Sequence, residues 1–144
     1  RDLRMSHQEV KEEHKQLEGN PLIKMRAKAL ARQRSSRRMM AAVPRATMII
    51  ANPTHYAVAL RYVRSEGGAP IVLAKGQDSM ALKIRSIGEE LGIAIIENKP
   101  LARAMYEKVE VNAMIPQEFF KAVAELVHFL QMRNVGKLIG QRGN

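Results

Sequence analysis

Hydrophobic positions are scattered without period up to about residue 45 and become dense and patterned beyond it. Thr47-Met48-Ile49-Ile50-Ala51 reads as a short buried strand, and Tyr56 to Val63 as a longer one, rich in β-branched and aromatic residues. Ser65-Glu66-Gly67-Gly68 is a turn signal. Ile71 to Ala74 is a third strand, closed by Lys75-Gly76. Asp78 or Ser79 then caps a helix whose Met80, Ile84, Ile87 and Leu91 share one face, with Gly92 suited to its C-terminal cap. Ile93 to Ile96 is a fourth strand, and strand–helix–strand at this spacing predicts a right-handed parallel crossover. Pro100 opens a short helix to about Lys108. Pro116 opens a last one, with Phe119, Phe120, Val123, Leu126, Val127 and Leu130 as its buried stripe. The fold class is α/β: a small four-stranded mixed sheet packed by helices, preceded by a long basic helical linker.

The N-terminal third has a different character. Met5 to Glu18 is polar and helix-prone, and Gly19-Asn20-Pro21 interrupts it. Asn20 suits an N-cap and Pro21 a first helical position, so a second helix is expected from Leu22 to about Met40. Its basic residues fall on all sides, which leaves it no apolar face to bury. These features divide the chain into a basic helical linker (1–44), a globular domain (45–132) and a disordered tail (133–144) in which three glycines favour fraying.

Charge sharpens that division. The formal net charge is +10, and Lys24, Arg26, Lys28, Arg32, Arg34, Arg37, Arg38 and Arg45 follow one another without an intervening acid. Such a run fits an anionic membrane surface, nucleic acid, an acidic protein face, or a merely solvated linker. Nucleic acid is disfavoured, because no strand interleaves aromatic with basic residues to make a stacking platform. There are no cysteines, and the four histidines are too dispersed to suggest a metal site. No glycine-rich phosphate loop or Ser/His/Asp signature is present, so no cofactor is expected. No apolar run approaches the roughly 20 residues that span a bilayer. The chain begins with Arg1 rather than Met, which suggests a piece of a longer protein whose preceding part could be membrane-embedded.

One stretch invites a chemical reading. Asn52-Pro53-Thr54-His55 interrupts two strands. An asparagine ordinarily forms a succinimide when the next backbone nitrogen attacks its side chain, but proline has no N–H. A second route remains, in which the Asn52 side-chain nitrogen attacks the Asn52 carbonyl carbon and expels the Pro53 nitrogen, cutting the chain. A primary amide is a poor nucleophile, so the fold must hold it at attack distance. Orientation of this kind is worth up to about 7–11 kcal/mol, part of which any asparagine already has. The proline pushes Asn52 toward extended backbone, Thr54 can hydrogen-bond within the turn, and His55 can carry a proton to or from the reacting nitrogens. On the dipeptide alone a plain turn is the favoured reading, since Asn-Pro commonly initiates one.

A longer series of motifs goes further. "QEVKEEHKQLEGNPLIK" (Gln8–Lys24), "RRMMAAVPRA" (Arg37–Ala46), "NPTHYAVALRY" (Asn52–Tyr62), "AKGQD" (Ala74–Asp78), "PLARAMYEKVEV" (Pro100–Val111) and "IPQEFF" (Ile115–Phe120) occur in order. Together they closely resemble the cytoplasmic domain of the FlhB/YscU family of type III export-switch proteins. The flagellar branch fits better than the injectisome branch, which stays as the alternative. The resemblance implies a membrane-embedded half before this segment, a place at the export gate on the cytoplasmic face of the bacterial inner membrane, and partners among gate components and exported proteins. It also implies self-cleavage between Asn52 and Pro53, with the two pieces staying associated and the cut permitting the change from rod and hook to filament substrates. Asn52 is then nucleophile and cut site, Pro53 the leaving group, and Thr54 and His55 orienting residues. This is a single-turnover event rather than enzymatic turnover. The tail "NVGKLIGQRGN" (Asn134–Asn144) matches nothing in that pattern.

Overall fold

The structure is a computed structural model that describes residues 19–142; the helix expected over Met5 to Glu18 lies outside the described residues. The chain falls into two compact units, Arg1–Arg38 and Met39–Asn144. The first is represented by most of helix α1 (Pro21–Ala42), capped by Asn20, whose Oδ1 accepts from Leu22 N at 2.9 Å. None of its residues is buried, as the all-round distribution of charge foretold. The second unit begins inside α1 rather than at Val43-Pro44. Met39, Met40 and Ala42 already pack against the core, and Val43 is fully buried in it.

Four strands make one mixed sheet: β1 (Met48–Asn52), β2 (Tyr56–Arg61), β3 (Ile71–Gln77) and β4 (Ala94–Glu97), in the order β3-β2-β1-β4. β1 and β2 form an antiparallel hairpin, β2 and β3 pair antiparallel, and β4 lies parallel to β1. β3 and β4 therefore run the same way, as a crossover requires, but occupy opposite edges of the sheet. The connecting helix α2 (Ser79–Leu91) spans the face between them. Helix α3 (Lys99–Lys108) and Val123 of α4 (Phe120–Arg142) pack on the other face. The two central strands are covered on both sides, which is why they read as near-continuous apolar runs.

Alternation along β1 and β2 feeds two cores. Met48, Ile50, Val58 and Leu60 join Val72, Met105, Val109 and Phe119 on the α3 face. Ile49, Ala57 and Ala59 join Leu73, Ala74 and Ile84 on the α2 face. Each large side chain so buried contributes about 1.5–3 kcal/mol. Leu73 and Ala74 share a face because the β2–β3 register shifts between Ala59 and Leu60, the mark of a β-bulge.

Beyond that bulge β3 runs through Gln77 instead of closing at Lys75-Gly76, because Lys75, Gly76 and Gln77 pair with Val58, Ala57 and Tyr56. Past it, Lys75 faces α3, where its ammonium donates to Tyr106 O at 3.2 Å and Val109 O at 2.8 Å. Gly76 faces α2. A Cβ there would stand 2.8 Å from Met80 Cβ and 2.9 Å from the Met80 carbonyl carbon, so only glycine lets the helix begin this close to the strand. Asp78, between β3 and α2, has φ 52°, a conformation that costs a non-glycine residue about 1–3 kcal/mol.

The helices depart from expectation in their details. α2 buries Ala81, Ile84 and Gly88, while Leu91 is 53% exposed. Ile84 and the part-buried Ile87 face the core as expected, and Ala81 and Gly88 join them because the helix lies close to the sheet; a Cβ at Gly88 would overlap Ile49 Cδ1. Gly92 ends α2 in the left-handed conformation as expected, and Ile93 N returns to Gly88 O at 2.9 Å, so β4 starts one residue late. α3 is capped by Asn98, whose Oδ1 accepts from Leu101 N at 3.2 Å, with Pro100 just inside. A 3-10 turn (Gln117–Phe119) precedes α4 and turns Phe120 outward, 44% exposed, leaving Phe119 and Val123 as the buried anchors. α4 continues to Arg142 and takes in ten residues expected to fray.

Candidate functional site

Asn52 is the last residue of β1 and Tyr56 the first of β2, and the two are paired across the hairpin. Pro53, Thr54 and His55 form the connecting turn. Proline suits the second position of a β-turn, where its fixed φ is already correct. The turn is closed by His55 N, which donates to Asn52 O at 3.1 Å. That acceptor is the carbonyl whose carbon the Asn52 side chain would attack. A backbone donor placed there polarises the carbonyl before reaction and stabilises the oxygen as negative charge develops on it.

The strands brace the turn from outside. Ala51 pairs with Ala57 on one side and with Glu97 on the other, and its carbonyl accepts from Asn98 N at 3.0 Å. Asn52 therefore lies one residue beyond a fully held position, half-buried, with Pro53 half-buried and Thr54 and His55 exposed. All four motif residues thus come together at one end of the sheet, as contiguity requires. The Thr54 hydroxyl makes no hydrogen bond among the described residues, so its expected bond within the turn is not formed in this state.

Three further residues attend the turn that the sequence did not assign to it. Asp78, which with Ser79 is one of the two caps expected for α2, makes no side-chain capping bond. Its N–H donates to His55 O at 2.9 Å, and its Oδ1 lies 3.8 Å from His55 Nδ1. Arg85, on α2, reaches Pro53 O at 3.4 Å while Glu89 (3.1 Å) and Glu97 (3.2 Å) hold its guanidinium. Tyr56 continues from His55 toward α3, its ring centroid 5.0 Å from that of Tyr106, over which Lys75 Nζ lies at 5.3 Å. The AKGQD stretch was the available signal for Asp78 and Lys75, but nothing local in it points to residue 55.

At the opposite end of β2, Arg61 donates to both carboxylate oxygens of Glu66 (2.8 and 3.2 Å) and to Arg45 O at 2.8 Å. The hydrogen bonds from Arg61 hold the Glu66 carboxyl below the ordinary carboxylate range. This pair fastens the 3-10 turn Arg64–Glu66 to the sheet, away from the motif.

A braced Asn-Pro turn joins the two central strands of a small mixed sheet, and comparison with known proteins gives the class of protein that carries it. The family model described as "FlhB HrpN YscU SpaS Family" matches residues 1–130. The chain belongs to this family of type III export proteins. On its flagellar side, the chain is similar to the flagellar biosynthetic protein FlhB of Bacillus subtilis, 47% identical over 130 residues, which covers 90% of this chain and 36% of that protein. It thus spans about a third of the length of that relative. Among solved structures, the cytoplasmic domain of FlhB from Shewanella putrefaciens superposes with a TM-score of 0.65 at 45% identity, covering 71% of this chain and 79% of that one. An asparagine-to-alanine variant of the EscU C-terminal domain superposes with a TM-score of 0.60 at 34% identity, covering 63% of this chain and 91% of that one. Other EscU variants alter the proline after that asparagine and the histidine two positions further on, the spacing of Asn52, Pro53 and His55 here. Among the described residues, no helix is long and apolar enough to cross a membrane, and no cluster of His, Cys, Asp and Glu could hold a metal ion.

Proposed function

We propose that this domain cuts itself between Asn52 and Pro53 by asparagine cyclisation, and that the cut sets which substrates a type III flagellar export apparatus accepts. The observation that carries the proposal is the hydrogen bond of 3.1 Å from His55 N to Asn52 O, at a turn braced on both sides by paired strands. The Asn52 Nδ2 bonds to the Asn52 carbonyl carbon, and the bond from that carbon to Pro53 N breaks. One proton leaves the amide and one arrives on the departing nitrogen, with His55 as the carrier. The products are a C-terminal succinimide on Asn52 and an N-terminus at Pro53. Each domain reacts once. Thr54 shapes the turn.

In the whole protein the domain works at the cytoplasmic face of the bacterial inner membrane, among export-gate components and the proteins they pass. The cut permits the change from rod and hook to filament substrates. Lys24, Arg26, Lys28, Arg32, Arg34, Arg37 and Arg38, all exposed on α1, lie against the anionic lipid surface. The deciding experiment is a denaturing mass measurement on the chain and on Asn52→Ala. The parent should give two fragments that meet at the Asn52–Pro53 bond, and Asn52→Ala a single intact mass. Fragments from Asn52→Ala would assign the cut to an external protease.

A further inference from the structure

Asp78 holds a backbone conformation that its own side chain disfavours. Its φ of 52° and ψ of −116° are those of the first central residue of a type II′ turn, where glycine is the usual occupant. Helix capping does not account for an aspartate there, because the side chain makes no capping bond. Burial does not either, since the carboxylate is 69% exposed. What the position supplies is a double hold on His55: a backbone bond of 2.9 Å to its carbonyl, and a carboxylate oxygen 3.8 Å from its Nδ1.

Resting on the self-cleavage reading above, we infer that Asp78 is a positioning residue for the cut, acting through His55. Its N–H fixes the His55 backbone relative to the turn. Its carboxylate draws the Nδ1–H of the imidazole toward itself, which leaves Nε2 as the proton acceptor. As Asn52 Nδ2 bonds to the carbonyl carbon, a proton passes from Nδ2 to His55 Nε2. As the bond to Pro53 N breaks, the imidazolium returns a proton to that nitrogen. The carboxylate stabilises the imidazolium that forms between the two transfers. A resting separation of 3.8 Å suits this role, since catalytic contacts commonly tighten as the charge forms. Glycine at this position would relieve the strain but would also delete the carboxylate.

The inference separates stability from rate. The chain is made by cell-free synthesis, and its cleavage is followed in time on denaturing gels, with unfolding midpoints measured in the uncut Asn52→Ala background. Asp78→Gly should raise the unfolding midpoint yet slow cleavage by at least about tenfold, within the ~10²–10⁴-fold that a general acid–base group supplies. Asp78→Asn, which tolerates the backbone but carries no charge, should be slowed as well. In a His55→Ala background, Asp78→Gly should have no further effect on rate. Cleavage of Asp78→Gly at the parental rate, or independent multiplication of the two effects, overturns the inference. Cutting of Asn52→Ala removes the self-cleavage reading and this inference with it. An intact Asn52→Ala beside a fully active Asp78→Gly removes the inference alone.

Discussion

Substituting Gly76 by alanine tests whether the close approach of α2 to β3 positions the groups around the turn. The new methyl carbon would stand 2.8 Å from Met80 Cβ, 2.9 Å from the Met80 carbonyl carbon and 3.0 Å from Ala81 N. Ordinary carbon contacts lie near 3.5–4.0 Å, so the overlap is roughly an ångström. Two of the three atoms are main chain, and no rotamer change can move them. The first turn of α2 must lift from the sheet. Overpacking of this kind costs about 1–3 kcal/mol, against which alanine in a strand regains about 0.5–1 kcal/mol over glycine. Because the contacts at or below 3.0 Å include main-chain atoms, the overpacking falls in the upper half of that range, and a net loss of about 1–2 kcal/mol follows. It should appear in urea titrations, in the Asn52→Ala background so that one covalent chain unfolds, as a midpoint lower by roughly half a molar to one molar at unchanged slope. In the cleavable chain the same displacement carries Asp78 and Arg85 away from the turn, so cutting should slow too. A Gly76→Ala protein as stable as its parent would refute the packing argument; one destabilised but cut at full rate would refute the link from α2 to the turn.

Cleavage should leave the fold whole, because the N-terminal piece keeps Val43, Met48, Ile49 and Ile50 buried between the helices and β1 paired on both edges; native size-exclusion should show one species where a denaturing gel shows two bands, and separately eluting pieces would contradict this. The chain should sediment with anionic vesicles at low salt and release as salt rises, each basic residue of α1 contributing about 1 kcal/mol at the surface; indifference to lipid charge would reduce α1 to a solvated linker. Glu66 gives a pH-dependent term of known sign. Its folded carboxyl is held below its ordinary range by the Arg61 hydrogen bonds, so its stabilisation is complete above an unfolded carboxylate pKa of about 4.3 and disappears as pH falls through the lower folded value. Unfolding midpoints measured from pH 6 downward should lose part of their acid slope in Glu66→Gln, and an unchanged slope would remove the pair from the account.

Much of this protein was legible from local signals. The one route proposed for Asn52 was legible from covalent structure, because a proline that follows it has no N–H whatever the fold. Strand and helix order came from period and punctuation, which act within a few residues. So did the caps at Asn20 and Gly92, and the absence of a buried face on α1. Tertiary structure decided what depends on register. The bulge beside Leu73 turned Lys75 toward α3 and Gly76 toward α2, a change of facing that no alternation pattern announces. Tertiary packing likewise set Ala81 and Gly88, rather than Leu91, beside Ile84 in the contact of α2, since how closely a helix approaches depends on what lies beneath it. Pairing of Tyr56 with Gln77 is what places Asp78 beside His55. Those residues are remote along the chain, and their meeting is a property of strand neighbours, which local sequence preferences do not encode.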